Sequence, residues 1–330
     1  MKYKQEIIFE NESANTELVE KYKNDIIKQV KAIVENSFDF DIVLIVKIKD
    51  IEKKENYVNK ETTCGYSTWR KDGSYEICFN SESLERIEWD NGLDIAIAIC
   101  HELGHIYDMY HVMNNKYYKI NPLMFRQTNI NDYIIQQGWN FWTEFFAYYF
   151  TFKEFTNLHD YPTFHQLLIG YQHLIEQYDY LEPRLDNKTK EIENLADKHI
   201  EEINQFVYAL AKYLAGSIMG KARYYKVKIT KENKKSVDKL NSIVERLYGL
   251  IIKMFTNTHG KGMATKLWGI GYYLIRTFYV KYNIFPEKMK GRIVLVYYKN
   301  DLIEYKKKIC RIQPHILKTI SAIKPWTHKT

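Results

Sequence analysis

His101-Glu102-Leu103-Gly104-His105 is the stretch of this 330-residue chain whose residue types and spacing are best suited to chemistry. On a helix, residues four apart lie on one face about one turn along, so both imidazoles can reach a single tetrahedral zinc ion. Glu102, next to the first of them, can contact a water held by that ion without binding the ion itself. This is the arrangement a hydrolase needs, because zinc acidifies the water and the carboxylate accepts its proton. H-E-x-x-H on a helix is a metallopeptidase signature. With ten histidines in the chain, the pattern should arise by accident in about two chains per hundred, so context has to add weight. It does: Ile95-Ala96-Ile97-Ala98-Ile99-Cys100, just before the motif, is apolar on every side, as in a buried helix. Two histidines and a glutamate in such surroundings are costly unless they have partners.

A catalytic zinc takes three protein ligands and keeps one position open for water. Two residues compete for the third place. The stretch H-E-L-G-H-I-Y-D-M-Y-H puts His111 where a metzincin carries its third histidine. That pattern needs a glycine where this chain has Asp108, because the helix must end there. On an unbroken helix His111 would sit about 9 Å further along the axis than His105. Glu144 is the better candidate. It lies within Trp142-Thr143-Glu144-Phe145-Phe146-Ala147-Tyr148-Tyr149-Phe150, and a lone acid in so apolar a helix calls for a cation to keep it ionised. Small Ala147, one turn on, would let this helix approach the first closely. Glu154 is a weaker rival. Asp108 would either orient a ligand histidine or occupy an ordinary polar helix position.

The elements that must carry these residues follow from periodicity. Leu18, Tyr22, Ile26, Val30 and Ile33 recur at helical spacing and predict a helix over Ala14–Asn36. Asp41–Lys49, rich in Ile and Val, predicts a strand. Thr63–Trp69 and Ser74–Asn80 flank Arg70-Lys71-Asp72-Gly73, and Asp-Gly is a strong hairpin signal. In the second arm Tyr75, Ile77 and Phe79 alternate with Glu76, Cys78 and Asn80, which predicts one apolar and one largely polar face. Helices are expected over Leu93–Met113, with Asp94 as a cap, and over Trp139–Lys153 after Gly138. Beyond Pro162 the chain reads as almost wholly helical, with a polar break at Glu182–Lys190.

Composition excludes wholesale disorder: 45% of residues are hydrophobic and 27% charged. Met1–Glu20 lacks the apolar core of a signal peptide. The longest apolar stretches, Phe206–Gly220 and Leu267–Val280, fall short of the roughly 20 residues a bilayer crossing needs. Cys64, Cys78, Cys100 and Cys310 contain no C-x-x-C pair and read as free thiols, so a cytoplasmic chain with no membrane contact is expected. Residues 1–181 hold 18 Lys+Arg against 28 Asp+Glu, a net of −10; residues 182–330 hold 30 against 13, a net of +17. That asymmetry predicts two regions, a catalytic one over 1–181 and a basic helical one over 182–330. Lysines interleaved with Tyr224, Tyr225, Tyr297 and Tyr298 would suit nucleic acid or an acidic protein partner, although a solvated helical surface is the plainer account.

The paired motifs HELGHIYDMY and EFFAYYF resemble those of gluzincin metallopeptidases, which carry a third glutamate ligand on a second helix. They are similar to the catalytic domains of anthrax-lethal-factor-like enzymes and Pro-Pro endopeptidases, and share the H-E-x-x-H and E-x-x-A skeleton of ImmA/IrrE-type peptidases. The resemblance covers about residues 60–155. It implies Zn2+ on His101, His105 and Glu144, Glu102 as general base, and hydrolysis of a peptide or protein substrate. It further implies an α+β fold: a zincin-like region with a small sheet and an edge strand, an active-site helix and a ligand-bearing second helix, followed by a mostly α-helical region. Ser74–Asn80 would be the edge strand, to which a substrate peptide could pair. Lethal-factor-like enzymes place an oxyanion-stabilising tyrosine seven residues before the glutamate, where this chain has Gln137. Tyr133 or His165 would have to substitute.

Overall fold

The computed structural model describes residues 3–50, 65–70, 72–86, 92–114, 129–155, 163–184, 190–220, 229–255, 262–282, 284–289 and 292–297. The elements are β1 (Gln5–Glu12), α1 (Thr16–Ser37), β2 (Ile42–Lys49), β3 (Gly65–Trp69) and β4 (Tyr75–Asn80), then α2 (Leu93–Asn114) and α3 (Ile130–Glu154). There follow α4 (Phe164–Leu181), α5 (Lys190–Ile218), α6 (Lys234–Phe255), α7 (Met263–Leu274) and a hairpin of β5 (Ile284–Met289) and β6 (Arg292–Tyr297). The protein is α+β and mostly helical. It divides into two compact units of three stretches each: Met1–Val112, Thr143–Tyr161 and Ala215–Arg223 form one, and Met113–Trp142, Pro162–Leu214 and Tyr224–Thr330 the other. The expected boundary at residue 182 follows charge, whereas these units follow packing.

The first unit is built on a four-stranded mixed sheet ordered β1-β2-β4-β3. β1, β2 and β4 run parallel, and β3 is antiparallel to β4. α1 connects β1 to β2. The Asn15 side chain caps it by accepting from the Leu18 backbone N–H, and its stripe of Val19, Tyr22, Ile26, Val30 and Val34 is buried. That stripe shares one core with Ile42, Leu44, Val46 and Ile48 of β2, Ile77 and Phe79 of β4, and Ile95, Ile99, Leu103 and Ile106 of α2. The apolar start of α2 is therefore the anchor that presses the H-E-x-x-H helix onto the sheet.

One strand had no sequence expectation, and one strand expectation needs correction. β1 carries only the short apolar run Ile7-Ile8-Phe9 between glutamates, and it is an outer strand whose residues are all partly or fully exposed. Its carboxylates Glu10 and Glu12 instead pair across the register with Lys47, at 3.3 and 2.8 Å. Ser74–Asn80 was expected at the edge, but β4 lies between β2 and β3, and all six of its residues are buried. The Asp-Gly hairpin explains this, since it folds β3 back onto the outside. The turn closes with Arg70 N–H to Ser74 C=O and Gly73 at φ 87°, a conformation glycine adopts without strain. Glu76, on the face expected to be polar and solvated, is buried against Lys47 and Arg70, both at 3.5 Å. Thr63 and Cys64, assigned to the hairpin's first arm, lie outside the described residues.

α2 starts at Leu93, which places Asp94 inside the first turn rather than ahead of it as a cap. α3 starts nine residues earlier than Trp139 and runs straight through Gly138. In the second unit that glycine is a contact, not a break. A Cβ at Gly138 would fall on the Leu267 carbonyl, and one at Gly271 on the Ile134 carbonyl, so α3 and α7 meet backbone to backbone. The close approach outweighs the roughly 1 kcal/mol that glycine costs inside a helix. The described residues after Pro162 are mostly helical, as expected, with the β5–β6 hairpin as an exception. Among the described residues, no helix is long and apolar enough to cross a membrane. Cys78 and Cys100 are free and buried. The lysines and tyrosines of 221–228, Tyr298, Cys310 and the C-terminal basic cluster lie outside the described residues.

Candidate metal centre

The site lies wholly within the first unit, where α2 meets the C-terminal half of α3. Its depth is set by two small residues. A Cβ at Gly104 would stand 2.9 Å from Ala147 Cα and 3.1 Å from Phe150 Cβ, so the two backbones touch at this point. His101 and His105 flank Gly104 on one side of the crossing, and Thr143, Glu144 and Tyr148 flank Ala147 on the other. The expectation that Ala147 would admit a close helix approach is met, with Gly104 as its counterpart.

His101 Nε2 and His105 Nε2 face each other at 3.1 Å, with ring planes at 90°. The Glu144 carboxylate presents Oε2 to His101 Nε2 at 3.5 Å and Oε1 to His105 Nε2 at 3.6 Å. One ligand atom from each of the three falls within 4.8 Å of the others. A tetrahedral ion with bonds of about 2.05 Å has ligands about 3.3 Å apart, so separations of 3.1, 3.5 and 3.6 Å suit such an ion. Two imidazoles and one carboxylate are also a donor set that catalytic zinc takes. The three residues could hold a metal ion, and no other such group occurs among the described residues.

The electrostatics separate the two glutamates. Glu102 is buried, and burial raises its pKa, against the opposing effects of the His101 charge and a hydrogen bond from Ser67; Glu144 nearby raises it further. Burial also pushes Glu144 upward, but its bond to His101 and its electrostatic attraction to the two imidazoles outweigh that and leave it below the ordinary range. His105 is pushed down to about 3 by burial and by the His101 charge, so it is a neutral ring ready to offer a lone pair. Strongly shifted groups gathered at one place are characteristic of functional sites.

His111 and Glu154 are placed elsewhere. His111 Nε2 is 3.3 Å from Asp39 Oδ1, and its ring packs on Phe40, Tyr107 and Tyr110 rather than on the ligands. Glu154 accepts a 2.7 Å bond from the Ser37 hydroxyl and so ties α3 to α1. Asp108 is buried on α2. Tyr133 is a buried residue of the second unit, where burial raises the pKa of its phenol; His165 is exposed in that unit, and Gln137 also belongs to it.

Three contributors escape sequence reasoning. Thr143 Oγ1 lies 2.9 Å from His105 Nδ1, Ser67 of β3 bonds Glu102, and the Tyr148 ring packs 4.5 Å from that of His101. A hydroxyl beside Glu144 is the only sequence signal for the first. Nothing in the sequence links Ser67 to Glu102, because the pairing depends on which strand lies outermost. No family model matches the chain, and no curated protein or solved structure is significantly similar to it.

Proposed function

We propose that the protein is a zinc-dependent peptidase. The observation that carries this reading is the convergence of Glu144 on both imidazoles while Glu102 stays out of the donor set, in hydrogen-bond contact with Ser67. His101, His105 and Glu144 would hold the ion. Bound there, zinc supplies a Lewis acid that lowers the pKa of a water and polarises a carbonyl. Glu102 takes the proton of the attacking water and returns it to the leaving amine. Burial suits it to this double duty, since a carboxylate with a raised pKa is a stronger base and a competent acid nearer neutral pH. The zincin-like plan gains support from the layout of small sheet, motif helix and ligand-bearing second helix.

Among the described residues, the outer strand next to Glu102 is β3 rather than β4. Gly65–Trp69 is one of the two outer strands, Tyr66 and Trp69 on it are exposed, and Ser67 connects it to Glu102. A substrate adding to that edge by backbone pairing would pass close to the general base. The test is Glu102→Gln, assayed against a peptide library with zinc content measured in parallel. The variant should keep fold and metal and lose cleavage, because an amide cannot accept the proton. Equal cleavage by variant and wild type would remove Glu102 from the mechanism.

A further inference from the structure

Beyond the three ligands, the geometry points to Thr143 as the positioning residue of the metal centre, acting through His105. The inference rests on the metal reading of His101, His105 and Glu144. An imidazole that offers Nε2 to a metal must carry its proton on Nδ1, and that proton needs an acceptor once the ring is buried. For His105 the acceptor is the Thr143 hydroxyl oxygen, 2.9 Å from Nδ1. Accepting there selects the tautomer whose Nε2 lone pair faces His101 and Glu144, and fixes the rotation of the ring about its own axis. Among the described residues His101 has no equivalent support, since its Nδ1 is buried without a hydrogen-bond partner there and its ring packs on Tyr148. Thr143 is thus, among the described residues, the one hydrogen-bond partner of an imidazole Nδ1 in the pair. It precedes Glu144 in the chain, so a single turn of α3 delivers a ligand to the centre and orients another ligand on α2.

Threonine is a neutral partner, which matters beside the carboxylate of Glu144 at a largely buried site. A carboxylate beside His105 would place a second negative charge close to Glu144, whereas a hydroxyl orients the ring without adding charge. Thr143→Val keeps the shape and removes the acceptor, and Thr143→Ser keeps the acceptor and removes a methyl group.

The experiment is zinc affinity of the full chain, measured by competition with a chromophoric chelator, together with the visible spectrum of the Co2+ form. Thr143→Val should bind zinc about 10- to 100-fold more weakly and show a perturbed cobalt spectrum, the usual effect of losing a partner behind a ligand histidine. Thr143→Ser should bind within about threefold of wild type, because its hydroxyl is retained. Wild-type affinity in Thr143→Val would overturn the assignment. Equal weakening in Thr143→Val and Thr143→Ser would also overturn it, showing that the methyl packing matters and the hydrogen bond does not. Failure of the wild-type chain to bind zinc or cobalt would instead overturn the metal reading itself, and the role of Thr143 with it.

Discussion

Replacing Gly104 with alanine tests whether the helix crossing sets the ligand geometry. The new Cβ would lie 2.9 Å from Ala147 Cα, 3.1 Å from Phe150 Cβ and 3.3 Å from the Ala147 carbonyl oxygen. Carbon atoms settle at about 3.5–4.0 Å, so α3 must retreat from α2 by roughly 0.7 Å. Most of that shift falls on the distances between Glu144 and the imidazoles, now 3.5 and 3.6 Å, which become about 4.2 Å. A tetrahedral ion with bonds of about 2.05 Å spans only about 3.3 Å between ligands, so Glu144 would be pulled out of range. Stability should change little by comparison. Overpacking costs about 1–3 kcal/mol, and replacing a helical glycine with alanine recovers about 1 kcal/mol. Gly104→Ala should therefore fold, melt within a few degrees of wild type when metal-free, and bind zinc at least about tenfold more weakly, a loss of ~1.4 kcal/mol. The assays are thermal unfolding of the metal-free protein and zinc competition against a chelator. Wild-type zinc affinity in this variant would refute the claim that the Gly104–Ala147 contact sets the ligand spacing.

The remaining predictions concern the ligand set and pH. Metal analysis of the purified protein should give about one zinc per chain, lost in His101→Ala and His105→Ala and strongly weakened in Glu144→Ala. His111→Ala should keep its zinc, since His111 faces Asp39; loss there with retention in Glu144→Ala would reverse the assignment. Metal-free stability should rise with pH between about 3 and 6.5, the folded and ordinary values for His105. In that window the unfolded chain binds the proton that the buried ring rejects, so stability is present above 6.5 and drains away as pH falls toward 3. His105→Gln, which has no such titration, should flatten this part of the profile; an unchanged slope in a denaturant series would contradict the burial effect.

The sequence by itself determined what depends on short-range periodicity. Two histidines four apart on a helix share a face because of the 3.6-residue turn, whatever the rest of the chain does. The same holds for α1, whose buried stripe is legible in the spacing of its apolar residues, and for the β3–β4 turn, where Asp72-Gly73 supplies the backbone geometry. Glu144 was legible for a different reason, as a lone acid in an apolar helix that needed a cation nearby. Tertiary structure decided everything that depends on which distant surfaces meet. β1 was hard to read because an outer strand held by Glu10–Lys47 and Glu12–Lys47 pairs needs no more than the short apolar run Ile7-Ile8-Phe9. β4 looked like an edge because alternation reports faces, not neighbours, and only the folded hairpin places β3 outside it. Gly138 looked like a helix boundary because local propensity cannot register a backbone contact with Leu267, more than a hundred residues away. Thr143 and Ser67 gain their roles from the same source: a hydroxyl is chemically anonymous until packing sets it against a particular imidazole or carboxylate.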